Sequence, residues 1–320
     1  MKKRFQFGEL IGQSEPMQKV FTLLERIVTS EANVLIHGES GTGKELVARA
    51  IHYNGPRKEK RFVAVDCGAL PENLLESELF GYVKGAFTGA VKDKTGLFEE
   101  AEDGTLFLDE ISNMALPVQG KLLRAIQEKE IRPVGATTTK KVDVRLISAS
   151  SPDLFSLVQE QKFREDLYYR LNVVAVDIPP LRKRKEDIPM LAYHFLTQFR
   201  QASKKKAQGF TAEAMNLLEG YNWPGNVREL ENVVERAVAL AAVEEEVIGP
   251  DHLPGQLFES KGAVVPTGVE TLNDALEQVK RRMVLRALQT CDGNKTKAAE
   301  SLGVSRLGLN KMIKKMGIKG

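Results

Sequence analysis

The sequence predicts an α/β fold: a parallel five-stranded sheet, a helical lid subdomain after it, and a small all-α helix-turn-helix unit at the C-terminus. Three observations point there. Five short, nearly continuous apolar runs alternate with helical stretches in the first half of the chain, as strands buried on both faces of a parallel sheet do. Those runs stop at Pro179-Pro180. Beyond them only helical spacing continues, and it ends in a basic segment.

The five predicted strands are Asn33–His37, Phe62–Asp66, Thr105–Leu108, Val144–Ile147 and Val173–Val176. Helical segments between them imply right-handed crossovers. Past Leu181, Thr211 can cap a helix running to Tyr221. Asn226 can cap a second, in which Val227, Leu230, Val233, Val234, Ala237 and Val238 follow helical spacing. Glu244-Glu245-Glu246 and a Pro/Gly-rich stretch then read as a linker. From Thr271 a stripe of Leu272, Leu276, Val279, Met283 and Ala287 is helical again. It can pair two modules or serve as the core of one. The expected division is 1–180 for the α/β subdomain, 181–245 for the lid, 246–270 for the linker and 271–320 for the terminal unit.

Composition narrows the function classes. Of 320 residues, 42% are hydrophobic and 28% charged, the balance of a folded chain and not a disordered one. Two cysteines, Cys67 and Cys291, exclude a disulfide framework and a cysteine-based zinc finger. Four scattered histidines offer no metal cluster. No apolar run approaches the about eighteen residues of a membrane span. Met1-Lys2-Lys3-Arg4 is basic, but Phe5-Gln6-Phe7-Gly8-Glu9 follows where a signal peptide would have its apolar core. A cytoplasmic location is the expectation. The net charge of +3 hides an asymmetry: Thr271 to Gly320 holds eleven basic and four acidic residues, a net +7 against −4 for the rest. One end of the molecule is suited to a polyanion.

Gly38-Glu39-Ser40-Gly41-Thr42-Gly43-Lys44 follows the first strand and opens a helix. The spacing G-x-x-x-x-G-K turns backbone N–H groups toward an anion. Lys44 adds a point charge for β- and γ-phosphates, and the helix N-terminus adds its dipole. The residue after the lysine is Glu45, where a magnesium-binding hydroxyl is usual. Magnesium must then lean on other groups. Thr105-Leu106-Phe107-Leu108 ends in Asp109-Glu110. Asp109 can hold Mg²⁺ and Glu110 can polarise an attacking water.

At the C-terminus, Asn294 to Ser305 reads as a helix, a glycine turn and the cap of a second helix. The second helix presents Arg306, Asn310, Lys311 and Lys314, while Leu309 and Ile313 face inward. Ser305 is its capping residue. Such a helix can enter a major groove.

With both loops in view, the chain resembles the central AAA+ domain of bacterial enhancer-binding proteins, the sigma-54-dependent transcription activators, over essentially its whole length. The most specific element is Gly85-Ala86-Phe87-Thr88-Gly89-Ala90, preceded by Glu76-Ser77-Glu78-Leu79-Phe80-Gly81. The resemblance implies that this loop contacts the sigma-54 factor in the RNA polymerase holoenzyme. Phe163 to Leu171 resembles the family segment in which Arg164 and Arg170 would be arginine fingers acting on a neighbouring subunit's ATP, which implies a homo-oligomeric ring, a hexamer. Trp223-Pro224-Gly225-Asn226-Val227-Arg228 is similar to the family lid, with Arg228 as second sensor, and Ile11-Gly12 resembles the adenine-side wall. The C-terminal pattern resembles the Fis-type module, implying upstream enhancer DNA as a partner and paired modules.

Two positions depart from the family. Asp66 stands where Asn is common, a residue thought to hold Glu110 until ligand arrives; a carboxylate there could repel Glu110. Ser150-Ser151 stand where a Thr-Asn first sensor is frequent. These departures, with Glu45, keep an alternative open: a nucleotide-binding, DNA-binding repressor or scaffold without productive remodelling. Family members often carry an N-terminal sensory domain, and here the AAA+ pattern begins almost at Met1, so control in trans or an excised fragment is expected.

Overall fold

The computed structural model describes residues 7, 10–259, 284 and 294–315. They fall into two units, 1–261 and 262–320.

In the first unit, α1 (Glu15–Ile27) starts with Pro16 in its first turn and buries Met17, Val20, Leu24 and Ile27 along one stripe. Next come β1 (Val34–His37), α2 (Lys44–Tyr53), β2 (Phe62–Asp66), α3 (Glu72–Phe80), α4 (Leu97–Glu100) and β3 (Thr105–Asp109). They are followed by α5 (Leu116–Glu128), the short strands β4 (Glu130–Ile131) and β5 (Lys140–Lys141), β6 (Arg145–Ser150), α6 (Leu154–Gln159), α7 (Glu165–Leu171) and β7 (Val174–Asp177). The main sheet has five parallel strands in the order β2-β3-β6-β1-β7. All five expected strands are present, four of them within one residue of their predicted ends; β6 runs three residues past the predicted end at Ile147. The antiparallel pair β4-β5 is an addition that two-residue strands do not announce in sequence.

Both faces of the sheet are covered. Along β3, Leu106 and Leu108 enter one core with Leu79, Leu122 and Leu146, while Phe107 enters the other with Ile36, Val47 and Ile51. Period-2 alternation within an all-apolar run accounts for this split. Burying each such side chain stabilises the fold by about 1.5–3 kcal/mol.

After Pro179-Pro180 come α8 (Ile188–Ser203), the strand β8 (Gly209–Phe210), α9 (Ala212–Gly220), α10 (Asn226–Leu240), β9 (Val247–Ile248) and α11 (Gln256–Glu259). Thr211 caps α9 as expected, its Oγ1 accepting from Ala214 N. The lid core gathers Leu181, Ile188, Leu191, Trp223, Leu230 and Val234. One expectation fails. Asn226 is not the side-chain cap of α10: Gly225 holds the cap position, and Asn226 is the first helical residue, fully buried with φ +53°. Its side chain serves a contact across the molecule instead.

In the second unit, Asn294 Oδ1 accepts from Thr296 N and Lys297 N at 3.1 and 3.2 Å, capping the helix Lys295–Ser301. Gly303 turns the chain at φ +65°. Ser305 Oγ then accepts from Gly308 N at 3.1 Å, capping the helix Arg306–Lys315. Leu309 and Ile313 are buried against Ala298, Ala299 and Val284, while Arg306, Asn310 and Lys311 are exposed. The stripe from Leu272 to Ala287 and the linker's 260–270 stretch lie outside the described residues.

Candidate active site

The carboxyl ends of β1, β2, β3 and β6 lie side by side, with Asp66 paired to Asp109 and His37 to Ser150 in register. Loops leaving those ends converge, as ligand-binding loops of open parallel sheets do. The loop after β1 is the predicted phosphate loop. Gly41 has φ +77°, and a Cβ there would sit 2.3 Å from Gly225 O, so only glycine fits between loop and lid. Gly43, at φ +99°, leads into α2.

A cavity of about 870 Å³ opens over this loop. Of the predicted nucleotide residues, Ile11, Ser40, Gly41, Thr42, Gly43, Lys44 and Glu45 line it, together with Asp66, Asp109, Glu110 and Arg228. Leu10, Ile11 and Met17 give the lining an apolar part suited to a base. Gly38 and Glu39 stand behind the loop, in a second depression. Glu45 reaches the cavity, but its carboxylate accepts from Arg49 at 2.7 Å.

Lys44 is buried and its Nζ donates to Gly38 O at 3.0 Å, Glu110 Oε1 at 2.9 Å and Ser151 Oγ at 2.6 Å. Glu110 also accepts from Ser151 N at 3.1 Å and from Ser151 Oγ. Burial works against the Glu110 carboxylate, but Ser151 and Lys44 outweigh it and hold its pKa below the ordinary value. Burial dominates at Asp109 and raises its pKa, against the pull of Lys44. Burial, aided by the charges of Asp66, Asp109 and Glu110, pushes the neighbouring Cys67 thiol up to about 12, which leaves it protonated and inert.

The concern over Asp66 takes a different form here. Its Oδ1 accepts from Gly68 N at 2.7 Å, and Glu110 is held by Ser151 and Lys44. Among the described residues no three His, Cys, Asp or Glu side chains are grouped to hold a metal by themselves. That fits magnesium, which is commonly bound through one or two carboxylates and the substrate's phosphates. Asp109, at the end of β3, is a carboxylate that lines the cavity.

The lid closes the site from above. Val227 N and Arg228 N donate to Gly41 O at 2.9 and 3.3 Å, and Arg228 reaches Ser40 Oγ at 3.4 Å. Asn226 Nδ2 donates to Ser40 O at 3.0 Å and Glu39 Oε2 at 3.2 Å, while its Oδ1 accepts from Leu181 N at 2.8 Å. Glu39 is also paired with Arg182 at 2.6 Å. That pairing holds the Glu39 carboxyl down to about 2. Arg184, buried against Thr42 O at 3.2 Å, completes the wall. Arg182 and Arg184 were not among the predicted site residues, and their signal was weak: two arginines after a Pro-Pro hinge. Ser151 was marked only as a departure from the family's first sensor, with no role assigned.

Two predicted groups lie away from the cavity. Arg164 stands at the N-terminal boundary of α7, without a capping side-chain bond, and Arg170 sits in its last turn; both are exposed and neither lines the pocket. Arg164 makes a bidentate pair with Asp166 at 3.0 and 2.7 Å. The 85–90 loop is the other group. Gly85 N donates to Ala90 O at 2.9 Å, closing a tight turn in which Gly85 and Gly89 have φ of +84° and +102°. Phe87, 47% exposed, packs edge-on against Tyr82, and Thr88 is exposed beside it.

Comparison with known proteins agrees with this arrangement. Residues 10–177 match the sigma-54 interaction domain, 182–267 the AAA+ ATPase lid domain, and 275–316 the bacterial regulatory protein, Fis family. The chain is 52% identical over 301 residues to the transcriptional regulatory protein ZraR of Escherichia coli K12, covering 94% of this chain and 67% of that one. It is 46% identical over 319 residues to the regulatory protein AtoC of the same organism, covering 98% and 69%. Crystal structures of NtrX from Brucella abortus in complex with ATP and with ADP superpose with TM-scores of 0.75 at 34% identity, covering 97% of this chain and 70% of theirs. This chain, with its AAA+ sheet, lid and Fis-type helix-turn-helix, therefore belongs to the family of sigma-54-dependent transcription activators.

Proposed function

We propose that the protein is a magnesium-dependent ATPase whose turnover drives remodelling of the sigma-54 RNA polymerase closed complex while its C-terminal helices hold upstream enhancer DNA. The observation that carries this reading is the meeting of Lys44 and Glu110, 2.9 Å apart, in a cavity lined by the phosphate loop and by Arg228 of the lid. Lys44 would bind the terminal phosphates and Arg228 would report their presence to the lid. Glu110 would take the proton of a water whose oxygen attacks the γ-phosphorus. The bond to the bridging oxygen breaks, and its electron pair leaves with ADP. Bound magnesium supplies charge neutralisation on the phosphate oxygens, and Asp109 would hold it.

Arg164 and Arg170 lie outside the cavity, so their action on phosphate is assigned to a neighbouring copy in a ring, a hexamer in this reading. The loop around Phe87 and Thr88 would engage sigma-54, and the helix beginning at Arg306 would read DNA. Tethering to DNA raises the local concentration of the ring at the promoter. Among the described residues no helix is long and apolar enough to cross a membrane, and the proposed location is the cytoplasm. The division into 1–180, 181–245, 246–270 and 271–320 is retained on this reading.

The test is ATP turnover measured across protein concentration, with size measurement and sigma-54 capture in the presence of an ATP transition-state analogue. Turnover rising with concentration and analogue-dependent capture support the reading. A flat trace at background, with DNA binding intact, would favour a nucleotide-binding repressor.

A further inference from the structure

The second residue of the helix Arg306–Lys315 is a leucine that takes no part in its unit's core. Leu307 is 70% exposed, more than any other leucine among the described residues. Leu309 and Ile313 build the core with Val284, Ala298 and Ala299, and Met312 packs against it. A single exposed leucine calls for no explanation by itself. This one differs in where it stands. Asn310 and Lys311, three and four residues on, share its face of the helix, and Arg306 adjoins it; all three are exposed. Among the described residues of this helix, Leu307 is the exposed apolar one.

The capped first turn fixes its place. Ser305 O accepts from Leu309 N at 2.9 Å, and Ser305 Oγ accepts from Gly308 N at 3.1 Å. Gly308 adds no side chain next to Leu307, so bare backbone flanks the leucine and a ligand surface can approach closely there. The surroundings are cationic. Thr271 to Gly320 carries a net +7, and Lys297 on the preceding helix is exposed as well. A two-fold contact between copies of this face would bring the same cations together. A polyanion is the occupant that the charge favours. On a duplex, the apolar group that a base edge offers in the major groove is the thymine C5-methyl. A helix-turn-helix brings the N-terminal residues of its second helix to those edges.

We propose that Leu307 is a specificity-determining residue that packs against the 5-methyl group of a thymine in the major groove of the bound duplex. This inference rests on the reading above in which the C-terminal helices hold DNA, and it adds the base that one residue selects. A thymine methyl against the leucine removes two apolar surfaces from water together. A cytosine in its place turns an N4 amino donor toward a side chain with no acceptor. Arg306 makes no such choice, because a guanidinium reads acceptors.

In the experiment, the full chain first selects a binding site from a pool of random duplexes. Each thymine of that site is then replaced, one at a time, by deoxyuridine, which keeps the base pairing and lacks only the methyl. Gel-shift titrations compare the wild type with Leu307→Ala and Leu307→Met. Wild-type affinity is expected to fall about fourfold at one thymine of each half-site, the fold-change for losing one buried methyl. Leu307→Met keeps a long apolar side chain and is expected to keep that sensitivity. Leu307→Ala is expected to bind the thymine and uracil duplexes equally, a result that mere loss of structure does not produce. A wild-type chain indifferent to uracil at every position, or a Leu307→Ala chain as sensitive as the wild type, would overturn the assignment. So would a Leu307→Ala chain that binds DNA normally but assembles less, because the leucine would then lie between copies. A wild-type chain that binds no duplex at all would instead bring down the DNA-holding reading, and this inference with it.

Discussion

The side-chain amide of Asn226 donates to the backbone carbonyl of Ser40 at 3.0 Å, tying the first residue of the lid's α10 to the phosphate loop. The same side chain bonds Glu39 and accepts from Leu181 N, so one buried amide joins loop, hinge and lid. Its backbone, at φ +53°, is one that asparagine tolerates better than most residues. Asn226→Ala leaves Leu181 N and Ser40 O without their partners and is expected to cost about 2–4 kcal/mol of stability. Urea unfolding of the two proteins would measure it. A loss within about 0.5 kcal/mol, the range of an ordinary surface change, would show that the joint carries no weight.

Lys44 is the donor on which the site closes. Lys44→Ala removes the cation from a buried carboxylate as well as from incoming phosphates. Nucleotide affinity is expected to fall at least about tenfold, the worth of one charge-assisted hydrogen bond to phosphate. Titration with a fluorescent ATP analogue checks this, and unchanged affinity would mean that the phosphate loop has another use.

Thr88 is exposed at the tip of a loop whose turn is set by Gly85 and Gly89, so its side chain is not needed for the fold. Thr88→Ala is therefore expected to change stability by less than about 0.5 kcal/mol and to leave ATP turnover intact. Promoter opening in a purified sigma-54 transcription assay is expected to be lost. Full opening by the variant would move the engagement point away from this loop.

Much of this site is local in sequence and was legible there. The phosphate loop and Asp109-Glu110 are contiguous runs anchored to strand ends, and strand periodicity places them on one edge of the sheet. The second-unit caps, Asn294 and Ser305, are also local: each bonds backbone two or three residues on. Asn226 looked like one more cap for the same reason, but its partners Leu181, Glu39 and Ser40 are 45 or more residues distant in sequence. Arg182 was illegible on the same grounds, and Ser151, marked in sequence only as a departure from the family, gave no sign of its partners. Ser151 meets Lys44 and Glu110, and Arg182 meets Glu39, only after the sheet order β2-β3-β6-β1-β7 and the hinge bring them together. A spacing rule reads contacts within a turn or a strand, and these span the fold.

The pair between Glu39 and Arg182 makes lid attachment sensitive to acid. The Glu39 pKa is depressed from 4.5 to about 2 in the folded protein. Its stabilisation is therefore complete above pH 4.5 and is lost as pH falls to about 2. With side chains 41% and 40% exposed, solvent screening limits what the pair contributes. Glu39→Gln is expected to lower Tm at pH 7 and to match the wild type more closely at pH 3. A difference in Tm that stays constant across that range would show that the pair contributes nothing.

Arg306 opens the second C-terminal helix, one residue after its Ser305 cap, and is exposed together with Asn310 and Lys311. Residues at the start of such a helix contact base edges when it lies in a major groove, whereas cations further along meet phosphates. Arg306→Ala is expected to weaken binding to the specific site by about 1–3 kcal/mol and to relax discrimination at one base pair. Lys311→Ala is expected to weaken specific and nonspecific DNA alike and to reduce the salt slope by about one. Gel-shift titrations on cognate and scrambled duplexes at two salt concentrations separate the two behaviours. If Arg306→Ala lowers both affinities equally, Arg306 holds a phosphate, and base reading must be assigned to Asn310 one helical turn on.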